Sequence, residues 1–153
     1  MRLIRSLVFL SIAGVVAAAA TACQKKESPG AGAETKAAPA STAKIPVTTA
    51  SEEARTAFLQ GRDLSEKLRI TDSIAHFQKA VELDPSFALA ELNLANSAPT
   101  GKEFFEHLDK AVSLAPKASD GERFLILATK AGADNDAVKQ KEYLDQLVAA
   151  YPN

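Results

Sequence analysis

The stretch Thr71-Asp72-Ser73-Ile74-Ala75-His76-Phe77-Gln78-Lys79-Ala80-Val81-Glu82-Leu83-Asp84-Pro85 decides how the rest of the chain is read. Ile74, Phe77, Ala80 and Val81 recur at helical spacing and define one inward face. Pro85 lacks the N–H that a helix would need and stops it. Weaker echoes of this helix-then-proline unit end at Pro116 and Pro152. A motif that recurs every thirty-odd residues predicts a stack of similar units, and such stacks bind more often than they catalyse.

Outward from that helix, the apolar period stays near 3.6 from residue 50 to the end, with no convincing period-2 strand. Thr49 and Glu52 have capping-box spacing before a helix whose Ala54, Ala57, Phe58 and Leu64 share a face. Thr71 is the expected cap of the second helix, and Ser86 that of a third carrying Leu89, Leu92 and Leu94. The third helix breaks near Pro99-Thr100-Gly101. Thr100 and Glu103 repeat the box before Phe104, Phe105, Leu108, Ala111 and Val112, with Pro116 as the stop. Ser119 and Glu122 repeat it again before Phe124, Leu125, Leu127 and Ala128, with Gly132 as the C′ residue. Asp134 or Asn135 starts the last helix, which carries Val138, Leu144, Leu147 and Val148 and closes at Pro152. The expectation is an all-α fold of six helices in three pairs.

These residues resemble the tetratricopeptide repeat, a 34-residue helical hairpin with the pattern W-x2-L-G-x2-Y, A-x3-F and P. Gly61 falls on the family glycine, Leu64 on the tyrosine, Ser73 on the alanine, Phe77 on the phenylalanine, and Ala80 on a further small position. Ala57 stands at the tryptophan and Gln60 at the leucine. Leu94, Ala95, Leu108, Ala111 and Pro116 fit in the second repeat, where Phe104 takes a small-residue slot. Phe124, Leu127, Ala128, Leu144 and Pro152 fit in the third, and Gln140 departs. The resemblance implies a right-handed superhelical solenoid of about three repeats, at 54–87, 88–118 and 119–153. An ordinary six-helix bundle is the rival architecture. In this family the first helix of each pair lines a concave groove that takes a peptide or a partner helix. Carried over, the groove residues are Arg55, Phe58 and Arg62, then Leu89, Leu92, Asn93 and Asn96, then Glu122, Leu125 and Thr129. Leu89, Leu92 and Leu125 read equally well as core.

The N-terminus reads as an export signal. Arg2 and Arg5 precede an uncharged apolar run, and Leu7 to Ala22 is 16 residues, short of the roughly 20 that a spanning helix needs. Ala20-Thr21-Ala22-Cys23 resembles the lipobox of bacterial lipoproteins, although that family prefers Leu where this chain has Ala20. The resemblance implies a signal peptide over 1–22, lipidation of Cys23 and anchorage in a membrane. Gln24, where aspartate would resemble an inner-membrane retention signal, points to the outer membrane, with the protein facing the periplasm. Ordinary cleavage after Ala20-x-Ala22, giving a soluble periplasmic or secreted protein, is the alternative. Gln24 to Thr49 is 26 residues rich in Ala, Gly, Pro, Ser, Thr and Lys. With Ile45 and Val47 as its only large apolar residues, it reads as a disordered linker with a coil span of roughly 25–30 Å.

Composition narrows the function. The net charge of -1 gives no electrostatic case for nucleic acid. Cys23 is the only cysteine, so neither an internal disulfide nor a thiolate metal cluster can form. His76 and His107 each lie nine residues before a repeat-ending proline, one turn after Asp72 and Glu103 respectively. One histidine with one carboxylate is too few ligands for a metal, and both acids suit the first turn of a helix. No phosphate loop, nucleophile elbow or HExxH motif occurs. The reading is therefore not an enzyme and needs no cofactor: an envelope adaptor that binds a protein or peptide partner. A self-associating structural repeat and an accessory module of an envelope enzyme are the alternatives. Self-association would run through the last helix, whose Val138, Tyr143, Leu144, Leu147, Val148 and Tyr151 exceed one packed stripe.

Overall fold

The computed structural model describes residues 44–152, and among these the regular structure is helical, with no strand. The signal peptide, Cys23 and most of the linker lie outside the described residues. Six α-helices follow in order: α1 (Glu52–Glu66), α2 (Ile70–Leu83), α3 (Ala88–Ser97), α4 (Gly101–Leu114), α5 (Asp120–Ala133) and α6 (Ala137–Ala150). A single 3₁₀ turn, Ala115–Lys117, joins α4 to α5. Each odd helix packs on the even helix that follows it, so the chain forms three successive hairpins. Helix α2 also packs on α3, and α5 lies against both α3 and α4.

Small residues set the first crossing. Gly61 of α1 sits so close to α2 that a Cβ there would lie 2.7 Å from the Phe77 ring. Ala57, Ser73 and Ala80 are buried in the same seam, as expected where two helices press together. Phe77 packs on Phe58 at 5.7 Å between ring centroids, and Phe58 packs on Phe87 at 5.0 Å. Leu92, Leu108 and Ile126 carry that core through the second hairpin into the third. Ala128 is buried as one of the expected apolar positions of α5, Ile126 joins it, and Phe124, Leu125 and Leu127 are only half-buried. The run from Phe124 to Ala128 is apolar on every side, so periodicity could not choose a face, and packing on α3 and α4 made the choice.

Four helix starts differ from expectation. Ser51, not Thr49, caps α1 by accepting from the Ala54 N–H. Helix α2 begins at Ile70, ahead of Thr71, with no side-chain cap, and α3 begins at Ala88 after Phe87. Asp136, rather than Asp134 or Asn135, caps α6. Thr49 and Ser86 spend their hydroxyls on the Asp84 carboxylate instead. Thr100 caps α4 as expected, and Ser119 with Glu122 forms a complete capping box on α5. Pro116 sits inside the 3₁₀ turn, past the end of α4.

Helices α1 and α5 end alike. Leu68 (φ 61°) and Asn135 (φ 58°) take the left-handed conformation, so Asn135, not Gly132, is the C′ residue of α5. The Arg69 N–H then donates to the Leu64 carbonyl at 2.9 Å and the Asp136 N–H to the Ala131 carbonyl at 2.8 Å, the six-to-one bond of the Schellman motif. Leu68 and Asn135 are 67 residues apart, the same separation as Pro85 and Pro152. Helix α3 ends differently, at Ala98 in extended conformation, so the match joins the first and third hairpins alone.

Candidate functional site

The densest set of long-range polar contacts lies where residues 44–49 meet the helices. Burial alternates along this segment: Ile45, Val47 and Thr49 are half-buried, while Lys44, Pro46 and Thr48 are exposed. That is the period of an extended chain lying against a surface. Pro46 favours it, because the residue before a proline is biased to extended backbone. The end of the expected linker is therefore seated on the helical domain, and Val47 packs against its core.

The seat is built from three hairpin positions. Glu122, fully buried in the first turn of α5, divides its two oxygens. Its Oε2 accepts from the Ser119 N–H (2.9 Å) and hydroxyl (2.8 Å), closing the capping box. Its Oε1 accepts from the Thr48 N–H at 2.8 Å, across 74 residues of sequence. From α1, Arg55 Nη1 donates to the Val47 carbonyl at 2.7 Å. The Val47 carbonyl and the Thr48 N–H belong to one peptide unit, so an arginine of the first hairpin and a glutamate of the third grip it from both sides. Gly121 provides a notch beside them. A Cβ there would lie 2.9 Å from Ile45 Cγ2 and 2.6 Å from the Tyr151 ring.

Asp84, in the turn after α2, holds the other end. Its Oδ2 accepts from the Thr49 hydroxyl (2.6 Å) and the Ala50 N–H (3.1 Å). Its Oδ1 accepts from the Ser86 N–H (2.9 Å) and hydroxyl (2.6 Å). Burial pushes the Asp84 carboxyl upward, but the hydrogen bonds from Ser86, Thr49 and Ala50 outweigh it and hold it down at about 2.

The expected groove residues divide accordingly. Arg55 and Glu122 come together on residues 47 and 48. Phe58, Leu89 and Leu92 are buried in the core and present no free surface. Leu125 is half-buried against that core. Asn93 and Thr129 are half-buried and bond within their own helices, to the Leu89 and Leu125 carbonyls. Arg62 pairs loosely with Glu66 at 3.6 Å, and Asn96 is exposed. Sequence reading passed over Gly121 and Asp84. Asp84 carried a legible signal in the Asp-Pro-Ser run that ends α2, since aspartate commonly bonds the backbone two residues on.

His107 is not a freely solvated residue. Its Nδ1 lies 2.6 Å from Oε2 of Glu91, a buried carboxylate of α3, so it turns to Glu91 rather than to Glu103. Asp72 pairs with Arg69. Among the described residues no cluster of three His, Cys, Asp or Glu side chains could hold a metal. A cleft of about 200 Å³ opens beside His107, lined by Ile74, Leu94, Ser97 and Pro99. It is large enough for one side chain. Among the described residues no helix is long and apolar enough to cross a membrane. No protein-family profile matches the chain, and neither a curated protein nor a solved structure matches it.

Proposed function

We propose that this chain is a lipid-anchored adaptor of the bacterial cell envelope, a short tetratricopeptide-like superhelical array that binds a protein or peptide partner. Export and lipidation at Cys23 follow from Arg2, Arg5, the apolar run and the Ala20-to-Cys23 motif, with the periplasmic face of the outer membrane as destination. The observation that carries the binding reading is the grip of Arg55 and Glu122 on one main-chain peptide unit. Side chains that satisfy the carbonyl and the N–H of an extended segment recognise backbone, and pockets for alternate side chains then supply selectivity. The repeated Schellman ends and the glycine-lined α1–α2 seam support the repeat architecture.

Mass measurement of the mature N-terminus tests the anchor: a diacylglyceryl-modified Cys23 is expected, and Cys23→Ser should move the protein out of the membrane fraction. Unmodified soluble protein beginning at Cys23 would defeat this part. In-cell crosslinking tests the adaptor. Arg55→Ala should reduce the captured partner several-fold while the chain keeps its helical content, and full capture by this variant refutes binding at the gripped peptide unit.

A second reading, self-association, is favoured by α6. None of its residues is buried, while Val138 and Val148 are 80% and 65% exposed. Apolar surface left open on a helix is a site for association.

A further inference from the structure

Residues 44–49 are held the way a ligand is held. Ile45 rests in the Gly121 notch, Val47 packs on the core, and the peptide unit between Val47 and Thr48 is gripped at both polar atoms. Nothing in this arrangement needs the segment to be covalently joined to α1, apart from the Thr49 and Ala50 bonds to Asp84. A glycine at position 121 is not required by α5, because the first turn of a helix tolerates any residue with a Cβ. It is required by Ile45 and Tyr151, whose atoms occupy the space that a Cβ would fill.

We propose that this seat is a peptide-binding site that the chain's own residues 44–49 occupy in cis. The partner that fits it is an extended segment with branched apolar side chains two residues apart, followed directly by one accessible peptide unit. This deepens the adaptor reading above and rests on it for the identity of the site. The tethered segment competes at the high effective concentration of an intramolecular ligand, roughly millimolar. A partner must displace it, so the seat rejects weak ligands. Displacement also lengthens the linker. Six residues released at about 3.5 Å each add roughly 20 Å of reach between the domain and its anchor.

The test uses the full mature chain and a labelled peptide, Lys-Ile-Pro-Val-Thr-Thr-Ala, corresponding to residues 44–50. Ile45→Asp combined with Val47→Asp empties the seat. The peptide should bind this double variant at least ten-fold more tightly than it binds the wild-type chain. Adding Gly121→Val, which fills the notch, should abolish that binding, and a peptide with its two apolar residues replaced by aspartate should not bind. Equal affinity for wild type and double variant, or no binding to a double variant that melts cooperatively, overturns the proposal. If the double variant does not fold, hydrogen exchange on the wild-type chain decides. Millimolar peptide should then accelerate exchange at the Thr48 amide and leave the Leu108 amide unchanged, and an unaffected Thr48 amide overturns the proposal. Peptide binding without any partner captured in cells would keep the seat and remove the adaptor reading, so the two failures are distinguishable.

Discussion

Asp84 is the residue with the most unusual environment. Its four hydrogen bonds tie the segment before α1 to the turn after α2. Because its folded pKa lies near 2, below the ordinary 3.8, the stabilisation is complete above about pH 4 and is lost as the pH falls from 4 toward 2. Asp84→Asn should cost about 1–3 kcal/mol at neutral pH, since donors once shared by a charged acceptor lose it. Chemical denaturation at pH 7 and pH 3 checks both points: the variant should lack the part of the acid destabilisation that Asp84 contributes. Leu68 offers a change of opposite sign. It is 86% exposed and holds φ at 61°, where a side chain costs roughly 1–2 kcal/mol. Glycine removes that strain at some expense in unfolded-chain entropy, so Leu68→Gly should stabilise by about 0.5–1 kcal/mol in the same measurement.

At the scale of elements, the α1–α2 crossing depends on one missing side chain. Replacing a mid-helix glycine by alanine ordinarily gains up to about 1 kcal/mol from helix propensity. At Gly61 the new Cβ would lie 2.7 Å from a ring carbon of Phe77. Phe77 is fully buried and braced by Phe58, so the ring cannot move aside. Overpacking of this kind costs about 1–3 kcal/mol and outweighs the propensity gain. Gly61→Ala should therefore lower the melting temperature while keeping helical content, and a melting temperature at or above wild type would show that the seam has room for a methyl group. The helix ends teach a related lesson. Hydroxyls at 49 and 86 had the right spacing for caps, yet Asp84 took both, because a buried carboxylate is the stronger acceptor.

For the whole molecule, the contrast is between a closed first hairpin and an open last helix. Helix α1 buries Ala54, Ala57, Phe58 and Gly61, whereas α6 buries none of its residues. An interior repeat hands its apolar face to the next unit, whereas α6 packs on α5 and leaves Val138 and Val148 open. Val148→Lys should shift sedimentation toward the monomer while changing stability by no more than about 0.5 kcal/mol, because the position is already exposed. A wild-type chain that stays monomeric at high concentration would refute association through α6.

The sequence by itself determined the all-α class, the hairpin succession and the capping of α4 and α5. These depend on residues within one or two turns of each other: the period of Ile74, Phe77 and Val81, the hydroxyl of Ser119 three residues before Glu122, and the proline after α2. Tertiary structure alone decided the rest. The expected groove residues Phe58, Leu89 and Leu92 went to the core because three phenylalanines and the second hairpin needed filling, not because their spacing differs from that of exposed residues. The inward face of α5 was undetermined in a run that is apolar all round. The seat of residues 44–49 was invisible in sequence for a stronger reason. Two apolar residues in a stretch rich in alanine and threonine cannot order a chain by themselves. Order came from Glu122, which lies 74 residues away from Thr48, and from a notch that only a folded third hairpin can form.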